Sequence, residues 1–131
     1  MNISNVSSDS FRIVLPRSDF VGIGNSMFEA RCELQIPDFE HAIGLNRSAV
    51  EALHDDLRAT LRGQPAHSLD ASRLPDGEYQ MEVTRAQLAA LGNCVRETRK
   101  RLDPREFHSR LGVDPHEVDA IIQTIDQALA R

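Results

Sequence analysis

A chain of 131 residues, 40% apolar and 27% charged with a net charge of -5, has the length of one domain and the balance of a folded globular protein. Its apolar runs fall far short of the roughly 18 residues of a membrane span, the polar stretch Met1 to Ser10 has no apolar signal-peptide core, and two cysteines are too few for a disulfide scaffold. Membrane proteins, disulfide scaffolds and multidomain enzymes are excluded on these grounds, and a cytoplasmic location is expected.

Residues 1–10 read as a loosely held arm, and residues 11–131 as a single domain. Phe11 to Leu15 is a β-type run that Pro16 ends. Residues 16–26 hold Pro16, Gly22, Gly24 and Asn25, a loop composition. Phe28, Ala30, Cys32, Leu34 and Ile36 then alternate with Glu29, Arg31, Glu33 and Gln35, the period of a half-buried strand. Phe39 to Leu45 reads as a further strand. A helix opens at Ser48, with Ser48 and Glu51 as a capping box and Val50, Leu53, Leu57 and Leu61 as its apolar stripe. Gly63 and Pro65 end it. A loop follows, with a short strand near His67 to Leu69 and a turn at Pro75-Asp76-Gly77. Tyr79, Met81 and Val83 alternate with acids and Gln80 as another strand.

Thr84 and Gln87 form a second capping box, opening a helix from about Arg85 to Leu102 with Leu88, Leu91, Cys94, Val95 and Leu102 along one side. Asp103 caps a short helix with Pro104 at its first position, closed by Gly112. Asp114, Pro115 and Glu117 repeat that signal for a last helix carrying Val118, Ile121, Ile122, Ile125 and Leu129. The order predicts an α+β fold: an antiparallel or mixed sheet of about 4–5 strands in the first two thirds, packed against one middle helix and a C-terminal set of two longer helices and one short one. Phe28, Cys32, Leu34, Leu53 and Ile122 are assigned to its shared core.

Catalytic motifs are weak. Gly22-Ile23-Gly24 starts a dinucleotide fingerprint whose third glycine would fall at Met27. The five histidines never pair at helical ligand spacing, and His54-Asp55-Asp56 would point three ways from a helix. No nucleophile elbow or local Cys-His grouping occurs. No enzyme activity, catalytic residue, cofactor or metal is expected. Cys32 and Cys94 lie on apolar stripes and read as buried free thiols, or as a disulfide if their faces meet.

Charge is uneven. Residues 85–110 carry seven basic and three acidic residues, residues 1–84 total -6 and residues 111–131 total -3. Arg96, Arg99 and Arg101 in the basic segment read as complements to a helix C-terminus or as a partner-binding patch. Direct nucleic-acid binding is disfavoured by the net charge and by the scarcity of aromatics. Glu29 and Glu33 on the strand, Asp55 and Asp56 on the helix, and Glu78 and Glu82 by the later strand turn outward in these patterns. They are read as a solvated surface or as an acidic patch for a basic protein partner.

The segment Glu106-Phe107-His108-Ser109-Arg110-Leu111-Gly112 followed by Val113-Asp114-Pro115-His116-Glu117-Val118, after a strand and a capped helix, resembles small bacterial proteins encoded beside toxins. The first half, through Leu61, resembles immunity proteins of contact-dependent growth inhibition and other polymorphic toxin systems. The resemblance implies a cytosolic protein that binds one cognate toxin, often a nuclease, and blocks its active site. The competing expectation is a non-catalytic adaptor or subunit of a bacterial assembly, homodimeric through its helical half.

Overall fold

The computed structural model describes residues 1–131. Four short strands form one antiparallel sheet in the order β1-β2-β4-β3. They are β1 (Asn2–Asn5), β2 (Ser10–Leu15), β3 (Asp70–Arg73) and β4 (Tyr79–Thr84). The fold is α+β, as the element order predicts. Two hairpins meet at the central β2–β4 pair, where Phe11 faces Val83 and Ile13 faces Met81. Alternation then assigns the faces. Ile3, Phe11, Ile13, Leu15, Tyr79, Met81 and Val83 are buried, while Arg12 and Ser4 are exposed on the other face.

The helices cover the apolar face. They are α1 (Arg17–Phe28), α2 (Phe39–Ile43), α3 (Arg47–Leu61), α4 (Arg85–Arg101), α5 (Phe107–Leu111) and α6 (Pro115–Leu129). One cluster of 31 buried apolar residues draws on the sheet and on all six helices. Leu53 belongs to it as expected, and Ile122 is half-buried at its margin. No helix is long and apolar enough to cross a membrane.

The C-terminal half follows the sequence signals closely. Thr84 with Gln87 and Asp114 with Glu117 both form reciprocal capping boxes. Gly112 ends α5 at φ 81°, a left-handed conformation that glycine adopts without steric cost. The N-terminal cap of α3 is one residue pair earlier than predicted: Asn46, not Ser48, accepts from the Ala49 amide at 2.8 Å.

The first third departs from expectation. The predicted arm contains β1, whose Ile3 side chain is buried against the core. Residues 16–26 are helix, not loop. Phe20, Ile23, Met27 and Ala30 recur at helical spacing and are all buried. The glycines read as breakers instead allow close packing; a Cβ on Gly22 would meet Val113 Cγ2 at 3.0 Å. The predicted strand over residues 28–36 is a continuation of α1 as a π-helical turn, Glu29–Glu33, where Leu34 donates to the Glu29 carbonyl five residues back at 2.9 Å. Left-handed residues at Gln35 and Asp38 then turn the chain, and the predicted strand over residues 39–45 is the short helix α2.

Candidate functional site

The π turn is where the chain breaks most local rules. π-helical turns insert a residue and concentrate at functional positions because the insertion re-aims side chains. Here the insertion carries Glu33 round to the side of Phe28 and Glu29. With Asn25 of α1 and Arg110 of α5, these residues line an open depression of about 560 Å3.

Its floor is an ion pair. Arg110 donates from Nε to Glu29 Oε1 at 2.7 Å and from Nη2 to Oε2 at 2.5 Å, a two-pronged fork that matches a carboxylate. Its Nη1 also reaches Glu106 at 3.2 Å. The bond to Glu29 raises the Arg110 pKa above its ordinary value. Glu29 is 3% exposed, so its predicted outward position is wrong; it holds α5 to α1. Beside it Asn25 Nδ2 donates to the Leu111 carbonyl at 3.1 Å, a second tie between the same helices.

The rim differs. Phe28, assigned to the core, is 41% exposed. Glu33 is exposed as expected, and its side chain makes no hydrogen bond or ion pair. Cys32 and Leu34 do not join the core either: Cys32 is exposed and Leu34 half-buried. Cys94 is buried, both thiols are free, and burial pushes the Cys94 thiol up to about 12.

On the other side the π turn meets α3. The Phe28 ring lies 6.2 Å from the His54 ring. Arg31 Nη2 is 3.5 Å from His54 Nδ1 and its Nη1 is 3.9 Å from Glu51 Oε2. Buried Arg31 Nε has no partner. Burial first, then the charges of Arg31 and Arg58, lower the His54 imidazole to about 4, so it is neutral near pH 7.

The remaining predicted acids scatter. Asp56 is 2% exposed and serves the fold. Burial pushes its carboxyl up, but hydrogen bonds from the His67, Leu69 and Ser68 amides and the Ser68 hydroxyl outweigh this and hold its pKa below the usual range. Asp55, one position earlier, is exposed on α3. Glu78 sits at the β3–β4 turn, and Glu82 pairs with Arg12 at 2.7 Å on the uncovered sheet face. Thus Glu33 is at the depression and Asp55 is on the adjoining helix, while Glu78 and Glu82 belong to the sheet.

The second predicted patch is internally paired. Arg96 binds Asp126 at 2.6 Å, Arg99 binds Asp119 at 2.7 Å and Arg101 binds Glu97 at 2.8 Å. Sequence reasoning missed Phe28, Arg110 and His54. The spacing Phe20, Ile23, Met27, Ala30 was the signal that would have put Phe28 outside the buried stripe. Comparison with known protein families, curated proteins and solved structures finds no match for this chain.

Proposed function

We propose that this chain is an immunity-type protein that binds a cognate bacterial toxin domain and neutralises it by covering its active site. The observation that carries this reading is Phe28, a large aromatic side chain 41% exposed at the mouth of the depression. Glu33 stands unpaired on the same rim, and Glu51 and Asp55 are exposed on the helix packed beside it. An aromatic centre with a charged rim has the anatomy of a protein interface: the ring supplies the contact area that loses water, and the rim sets register and association rate. A nuclease toxin carries a basic cleft for phosphates, so carboxylates suit it as stand-ins. The net charge of -5 adds long-range attraction to such a partner. The protein then acts by occlusion, without chemistry or cofactor of its own, inside the cell it protects.

The test is co-expression with any toxic domain encoded beside its gene in the source genome. The wild-type chain preserves growth. Phe28→Ser and the double reversal Glu33→Lys/Asp55→Lys lose protection while keeping the wild-type circular dichroism and a cooperative melt; the double reversal also keeps the melting temperature, because exposed charges contribute little to folding. Full protection by both variants would overturn the assigned surface; no protection by the wild-type chain against any such domain would overturn the reading itself.

A further inference from the structure

We infer that the depression bounded by Phe28, Glu33 and Arg110 receives one arginine side chain of the protein partner. The inference rests on the reading of this face as partner-binding and names what the face recognises.

The charges around the depression do not balance. Arg110 is already paired with Glu29 and Glu106, through three of its N–H groups. Glu33 adds a third carboxylate with no cation of its own, so three acids stand against one guanidinium. A further anion would meet repulsion, and a neutral group would leave Glu33 desolvated and unpaired, which is costly once a partner excludes water. The occupant that completes the site is a cation.

The ring selects which cation. Phe28 offers an exposed aromatic surface beside Glu33, and a cation over such a ring gains electrostatic attraction. Asn25 gives its Nδ2 to the Leu111 carbonyl, leaving its Oδ1 as an acceptor. A guanidinium is planar, stacks on aromatic rings and presents several N–H donors at its edge, so it can lie on Phe28 while donating to Glu33 and Asn25. An ammonium is a compact, more strongly hydrated charge without a flat face to stack, so it gains less from the ring while donating to the same acceptors. The part-buried Glu29–Arg110 fork fixes the floor by two hydrogen bonds, which lowers the ordering cost of binding.

The probe is N-acetyl-arginine amide, titrated into the full chain and followed by the Phe28 ring and Glu33 side-chain resonances in NMR. Saturable shifts at these two residues are expected, with a dissociation constant on the order of 10 mM. Phe28→Leu should weaken binding about two- to fivefold, and Glu33→Gln by about tenfold. N-acetyl-lysine amide should bind more weakly than the arginine compound. Absent or non-saturating shifts, unchanged affinity in Glu33→Gln, or equal affinity for the lysine compound would each overturn the arginine site. The titration uses no toxin, so its failure removes this site alone, whereas failed growth protection removes the wider reading.

Discussion

His54 and Asp56 lie two residues apart on α3, yet they respond to pH in different windows. Each has a folded pKa below its unfolded one. The folded state therefore binds fewer protons, and stability falls as the solution is acidified. For His54 the window opens near its ordinary 6.5 and closes near 4, and it amounts to roughly 3 kcal/mol. For Asp56 the loss begins only where free aspartate starts to protonate, at more acidic pH. Urea midpoints measured from about pH 7.5 to 4.5 should therefore decline through the His54 window. His54→Phe keeps a ring in the space and should flatten that decline, at some cost in stability at pH 7 because Arg31 loses one of its two partners. A decline of the same slope in His54→Phe would remove His54 as its cause. Neither residue had a side-chain environment legible in the sequence. Asp56 looked like a solvated helix carboxylate, because the amides of His67, Ser68 and Leu69 that bury it come from a loop beyond the helix end.

Among the elements, those opened by local chemistry were legible and those shaped by packing were not. The capping boxes at Thr84 and Asp114 depend on residues three apart, so the sequence displays them completely. The segment from Pro16 to Ile36 misled because two periodicities overlap. Phe28 to Ile36 alternates by twos, while Phe20, Ile23, Met27 and Ala30 follow a helix, and only packing against α3, α4 and α5 chooses the second. Glycines compound this, since their role as close-approach sites depends on a partner far along the chain. Gly92 shows the energetic consequence. It lies inside α4, where alanine would raise helix propensity by about 1 kcal/mol. A Cβ there would meet Ile125 Cγ2 of α6 at 2.9 Å. That atom hangs on a stiff β-branched carbon and cannot swing aside. Gly92→Ala should destabilise the fold by about 1–2 kcal/mol, the overpacking cost outweighing the propensity gain, and lower the melting temperature by several degrees. A stabilised variant would show that α4 and α6 have room to separate.

Across the whole molecule, the uneven charge of the sequence is a contact between segments. The basic residues Arg96 and Arg99 of α4 pair with the acids Asp126 and Asp119 of α6, and Arg110 reaches back to Glu29. Arg85, counted with them, closes the molecule instead. Its Nη1 donates to the Leu129 carbonyl at 2.9 Å, its Nη2 to the Ser8 carbonyl at 3.2 Å, and its guanidinium lies 4.9 Å from the centre of the Phe11 ring. Arg131 Nη1 donates to the Ile3 carbonyl at 2.6 Å, tying the last residue to the edge strand β1. Arg85→Met keeps the aliphatic stem and removes these bonds. It should lower stability by about 2 kcal/mol in urea unfolding and speed amide exchange in β1. Unchanged exchange in β1 would show that the hairpin holds without the clasp.

The sequence by itself determined what depends on neighbours within a few residues: the α+β class, β2 and β4, helices α3 through α6, the capping boxes of α4 and α6 and most of the apolar stripes. These follow from periodicity and from side chains that satisfy amides three positions away. Only the tertiary structure decided which charges are free. Fourteen arginines and one lysine face twenty acids in the sequence, and each pattern turned them outward. Pairing depends on residues such as Glu29 and Arg110, 81 positions apart, which meet only when α5 packs on α1. Phe28 left its expected place in the core for the same kind of reason, while Glu33 stayed exposed. A strand would have sent them to opposite faces, and the π turn in place of that strand set them on one rim.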